Sequence, residues 1–196
     1  GSVLSSTLFR AVVHNHAKLA YNSVSQWLTG SEPAPERVMA VPGLDAQLRL
    51  QSRVAQRLKA RRHRQGALSL ETIEPRAVFE GEVLTGLRVE QKNRAKELIE
   101  DFMIAANQAT VSYLKGKGIP SFRRILRSPE RWQRIIEVAA RWGGQLPPEP
   151  DATALEAFLV TRQQADPLRF PDVSLAIVKL IGRGEYVLDQ SKDGAP

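Results

Sequence analysis

The sequence predicts an α+β fold, mainly α-helical, with one small antiparallel hairpin inserted among the helices. Three observations predict it. Apolar residues recur at three- and four-residue steps along most of the chain, which is the period of one helix face. The stretch from Ala67 to Gln91 instead alternates apolar and polar residues around Glu80-Gly81, as paired strands do. Glycine and proline fall between these stretches, where the chain must turn.

Residues 4–28 read as the first helix, with Leu8, Val12, His16 and Leu19 as one stripe and Val24 and Trp27 following it. Gly30 to Pro42 carries three prolines and is a loop. A second helix runs from Leu44 to Arg64, with Asp45 in its first turn, where a carboxylate suits the helix dipole, and Gly66 after its end. The hairpin stretch comes next, with strands over Ala67–Glu71, Val78-Phe79 and Val83 to Val89. A long helix from Asn93 to Lys115 follows; Gly116 and Gly118 stop it and Pro120 prevents its resumption.

Ser128-Pro129-Glu130 reads as a helix start, with a buried stripe of Trp132, Ile135, Ile136 and Ala139 beyond it. Pro147, Pro148 and Pro150 form a stiff linker, and Asp151 caps another helix carrying Leu155, Phe158 and Leu159. A last helix spans Asp172 to Ile181, and residues 190–196 form a polar, mobile tail.

The chain has 196 residues, 42% of them apolar, which is enough for a packed core. It has no cysteine, so disulfides and thiolate metal sites are excluded, and a cytoplasmic protein is the simplest reading. No apolar run approaches the length that spans a bilayer, and the N-terminus has no signal-peptide pattern.

The net charge is +7, and residues 44–66 carry +6 of it: seven cations stand against Asp45 alone. Arg49, Arg53 and Arg57 are four apart and share a face, with Leu44, Leu48, Val54 and Leu58 broadly opposite. Such a face is either solvated or lies against a phosphate backbone; solvated faces usually alternate signs, and this one does not. A second cluster, Arg123, Arg124, Arg127, Arg131 and Arg134, is offset by Glu130 and Glu137 and reads as solvated.

Read alone, the residues show no complete active site. Glu100-Asp101 is an adjacent acid pair, but neighbours in a helix point about 100 degrees apart and make poor joint ligands. His14 and His16 are two apart, not at the i, i+4 spacing of a zinc pair. No glycine-rich phosphate loop opens a helix, and no serine or cysteine nucleophile signature is present. Phe102, Met103 and Tyr113, at helical spacing, read as core. Glu100 has a salt-bridge partner available in Lys96, one turn earlier.

The order of motifs carries more. Ala17-Lys18-Leu19-Ala20-Tyr21-Asn22-Ser23-Val24 precedes an arginine-rich helix ending Arg61-Arg62-His63-Arg64. Then come Gly66-Ala67-Leu68-Ser69-Leu70, the hairpin, and Leu98-Ile99-Glu100-Asp101-Phe102-Met103-Ile104-Ala105-Ala106-Asn107. This succession resembles the ribonuclease II family in its catalytic RNB domain, clearly over residues 10–118 and loosely over 119–189. The resemblance implies part of a processive, magnesium-dependent hydrolase. Such an exoribonuclease threads single-stranded RNA into a channel, cuts from the 3′ end and releases nucleoside 5′-monophosphates in RNA degradation.

Tyr21 matches the tyrosine of the family's Ala-Lys-Leu-x-Tyr motif. Glu100 matches the first acid of its Glu-Glu-x-Met-x-x-Ala-Asn motif. Both positions resemble those that contact the terminal nucleotides near the cleavage site. Leu70 matches a position where relatives often place an aromatic ring against the last stacked bases; leucine packs there without the ring. Asp101 replaces the second glutamate. The resemblance makes residues 1–189 the central part of one RNB-like domain. The aspartates that bind magnesium are expected upstream of residue 1, and the Thr-Ser-Pro-x-Arg segment downstream of residue 196. The expected partners are single-stranded RNA and the remaining segments of the same domain, with no membrane. The chain alone is then expected to be inactive, supplying RNA-channel surface and no metal ligands. The alternative is a non-catalytic helical module that binds nucleic acid or protein.

Overall fold

The computed structural model describes residues 3–71, 75–89, 93–127 and 129–189. The architecture is α+β: seven helices and two two-stranded sheets occur among the described residues. Their order is α1 (Tyr21–Thr29), α2 (Glu36–Met39), α3 (Leu44–Arg64), β1 (Pro75–Glu80), β2 (Val83–Val89), α4 (Arg94–Gly116), β3 (Ser121–Ile125), α5 (Trp132–Arg141), α6 (Ala152–Ala165), α7 (Phe170–Ile181) and β4 (Glu185–Asp189). None of these helices is long and apolar enough to cross a membrane.

The chain divides into two compact units. The first gathers the described residues within 1–61, 92–121 and 188–196; the second gathers those within 62–91 and 122–187. In the first, Val24 and Trp27 of α1, Val38 of α2 and Ala95 of α4 form a buried cluster, with Leu44 and Leu48 of α3 packed against it. Asn93 caps α4: its side-chain oxygen accepts from the amides of Ala95 and Lys96, each at 3.1 Å. Such a cap satisfies donors the first helical turn leaves open and stabilises by about 1 kcal/mol. Asn93 also donates to Asn22 at 2.9 Å, and the Arg94 amide donates to the Ser25 hydroxyl at 2.9 Å. Capping thus fixes where α4 starts and how α1 meets it.

In the second unit α5, α6 and α7 bury one apolar cluster in which Ile135, Leu159, Phe170 and Ile177 are almost fully inaccessible. Asp151 caps α6, accepting from the amides of Thr153 and Ala154. The hairpin β1–β2 is antiparallel, closed by Gly81-Glu82 with Gly81 at φ +64°, and an irregularity at Val78/Phe79 shifts its register. Phe79, Val83, Leu84 and Leu87 of this hairpin are exposed.

Several expectations are corrected. The first helix starts at Tyr21, not residue 4; residues 3–20 form no regular element. Leu8, Val12 and Val13 are exposed, and of the expected stripe Leu19 packs against the buried cluster, so the earlier turns gain nothing from burial. The Asn15 side chain accepts from the Ala17 amide, a local bond that competes with helix. His14 and His16, freed from helical geometry, meet edge to face with ring centroids 5.0 Å apart. The proline loop contains the short helix α2, which seats Val38. Residues 67–71 form no strand. Helix α5 starts at Trp132 after a turn in which the Trp132 amide donates to Pro129; the expected cap Ser128 lies outside the described residues, as does the expected tail 190–196. Strands β3 and β4 pair with each other and were not expected.

Candidate nucleic-acid interface

Helix α4 separates its two acids. Asp101 is 1% exposed, on the face that also buries Ala95 and Leu98. Glu100 points about 100 degrees away and is exposed. Met103 and Asn107 follow Glu100 at i+3 and i+7, so they share its side of the helix, and both are exposed. The expected core stripe is therefore rotated: Met103 and Tyr113 face solvent, and Phe102 is half-buried. Glu100 forms no ion pair among the described residues, so the expected partner Lys96 does not hold it.

The acid that is paired on α4 is Glu97. It meets Lys59 of α3 at 2.8 Å and Arg94 at 3.4 Å. Burial raises its pKa, but the hydrogen bonds and charges of Lys59 and Arg94 outweigh that and hold it below the usual glutamate range. Arg94 is the hub of this junction. Its Nε donates to the Ser52 hydroxyl at 3.1 Å and a terminal nitrogen donates to the Ser52 carbonyl. An isolated arginine within a helix start gives no sequence signal for such a role.

With Ser52 and Lys59 turned toward α4, the helical period carries Arg53 and Arg57 about 100 and 140 degrees round from Ser52, while Arg49 stays within about 60 degrees of it; all three are exposed. They extend over about 12 Å of helix axis. The Arg49 guanidinium lies 4.5 Å from the ring centroid of buried Trp27. That stacking restricts the side chain and leaves its N–H edge for a ligand. Tyr21 is the first residue of α1 and is 48% exposed. The Asn22–Asn93 bond ties this end of α1 to the start of α4, and Glu100 lies about 10 Å further along that helix. Tyr21, Glu100 and the three arginines thus belong to one unit. A shallow cleft of about 280 Å³ in the same unit is lined by His16, Ala17, Lys18, Arg37, Ala40 and Val41, with Arg37 donating to the Lys18 carbonyl at 3.2 Å. Leu70 belongs to the other unit and is 39% exposed.

A family model described as the RNB domain matches residues 1–195. The chain belongs to the RNB domain family. Its RNB relatives include ribonuclease R of Vibrio parahaemolyticus, 32% identical over 174 residues, and ribonuclease R 1 of Lactococcus lactis, 27% identical over 168 residues. These alignments cover 85% and 81% of this chain, and the chain spans 20% of the length of each of those relatives. The RNB fold is also that of Mycoplasma genitalium RNase R. Its apo form and its complex with ribose-methylated single-stranded RNA each match with a TM-score of 0.67, at 18% identity, over 85% of this chain and 26% of theirs. Among the described residues no three His, Asp or Glu side chains converge as a metal site, so these residues do not fit a magnesium ion.

Proposed function

We propose that this chain supplies RNA-channel surface to a 3′-to-5′ exoribonuclease of the RNB family. The complete domain would hydrolyse single-stranded RNA to nucleoside 5′-monophosphates in the cytoplasm. The observation that carries the reading is the exposed row of Arg49, Arg53 and Arg57, which Asp45 at the start of α3 offsets by one charge, in a chain of the RNB domain family. Three guanidiniums on a rigid helix neutralise phosphates without reading sequence, which suits an enzyme that must slide along its substrate.

Tyr21 and Glu100 are proposed to contact the terminal nucleotides, with Glu100 available to accept from a ribose 2′-hydroxyl, the group that separates RNA from DNA. Leu70 is proposed to pack on a base face. The name of one structural neighbour, RNase R in complex with single-stranded RNA, supports RNA as the ligand class. Magnesium is proposed to be held by other segments of the domain, and the exposed apolar side chains of the hairpin support docking of such segments onto this chain. The chain alone should leave a labelled RNA intact in magnesium. Adding the remaining segments should restore release of 5′-monophosphates from the 3′ end. Hydrolysis by the purified chain, or none after reconstitution of the full domain, would refute the reading.

A further inference from the structure

We propose that Glu156 and Ser174 are positioning residues that hold the segment 67–71 and so set the placement of Leu70 against RNA. The inference rests on the base-packing role given to Leu70 above. Residues 67–71 belong to no sheet, so no ladder fixes their backbone. Side chains do it instead. The Ser69 amide donates to Glu156 Oε2, and the Glu71 amide donates to Ser174 Oγ at 2.6 Å. These are the two amides that flank Leu70. Glu156 is 5% exposed and Ser174 is fully buried, so neither bond competes with water.

Glu156 is further committed. Its Oε1 accepts from the Ser69 hydroxyl at 2.6 Å and lies 2.9 Å from His63 Nδ1. That nitrogen also lies 2.8 Å from the Ala67 carbonyl. Facing two acceptors, Nδ1 carries the proton and donates. Gln163 donates to the Glu71 carboxylate at 3.1 Å. The turn before the segment is seated on α6 as well: a Cβ at Gly66, where φ is +88°, would stand 3.0 Å from Ala152 Cβ. A buried carboxylate is tolerated only where donors meet it, so Glu156 favours one geometry of the segment where an apolar residue would favour many.

Ser69, His63 and Glu156 are not a nucleophile relay. The hydroxyl and the carboxylate meet the same ring nitrogen, and the Ser69 proton is given to Glu156. The cluster is a clamp on the backbone. Pinned on both sides, Leu70 stays partly exposed while its neighbour Leu68 packs on the core of the second unit.

The test uses this chain and a single-stranded RNA containing 2-aminopurine, whose fluorescence reports base packing, together with hydrogen exchange at Ser69 and Glu71. Leu70→Ala should raise Kd about three- to tenfold and change the fluorescence of the bound RNA. Glu156→Ala and Ser174→Ala should do the same in chains whose melting shows them folded, with faster exchange at the two flanking amides. Glu156→Gln, which keeps an acceptor for the Ser69 amide, should recover part of the loss. Combined with Leu70→Ala, the Glu156 and Ser174 changes should add little, because they act through that side chain. Unchanged RNA binding by Leu70→Ala refutes the role of Leu70 itself, and the positioning proposal with it. If Leu70→Ala weakens binding while folded Glu156→Ala and Ser174→Ala bind as the parent does, or if the effects add in full, the positioning proposal alone is overturned.

Discussion

Glu100 and Asp101 are neighbours with opposite fates, and the helix period is the reason. Asp101 lies in the packed face of α4, so Asp101→Ala should destabilise the fold by about 1–3 kcal/mol, the usual cost of disturbing a buried polar group. Glu100→Ala should shift stability by less than about 0.5 kcal/mol, as exposed substitutions do. Denaturant unfolding of the two variants measures the difference. The same Glu100 change should weaken discrimination of RNA from DNA in a binding assay, which a purely structural glutamate would not. Glu97 behaves differently again. Its folded-state pKa lies below the unfolded one, so its contribution is present above about pH 4.3 and is lost as pH falls through the folded value. Stability measured from neutral to acid pH should show that loss, and Glu97→Gln should reduce the acid-side slope.

At the scale of elements, α4 is placed by its cap. Asn93→Ala removes both cap bonds and the bond to Asn22, and should cost about 1 kcal/mol or somewhat more, read as a lower midpoint with unchanged slope. Capping chemistry is local, which is why α3, α4 and α6 were legible in the sequence: α3 spans Leu44–Arg64 as the apolar period and flanking glycines require, and Asn93 and Asp151 mark two starts. Residues 4–20 misled because spacing alone does not make a helix. Without a surface to cover Leu8 and Val12, the pattern has no energy behind it. Strands β3 and β4 escaped because each has five residues and its partner lies some sixty positions away, beyond any local signal. Among candidate site residues, the arginine face could be read from charge alone. Tyr21, Leu70 and Glu100 came from motif order, and the clamp residues Glu156 and Ser174 gave no sign, since a glutamate or serine between apolar helix positions reads as solvated until its partners are known.

For the whole molecule, each of the two compact units carries proposed RNA contacts of its own. The first holds the arginine face, Tyr21 and Glu100; the second holds Leu70 on its clamp. The chain spans a fifth of the length of its ribonuclease R relatives, and its described residues build no metal site. The contribution proposed for it is recognition and guidance of the strand. Recognition through phosphates has a distinct signature. Each neutralised phosphate contributes about 0.7 to the slope of log affinity against log salt for a single strand. The most direct measurement is a salt titration of single-stranded RNA binding by this chain and by its Arg49→Gln, Arg53→Gln, Arg57→Gln triple variant. The account predicts steeply salt-dependent binding whose slope falls by about 2 in the variant. No measurable RNA affinity, or a slope that the three substitutions leave unchanged, would contradict it.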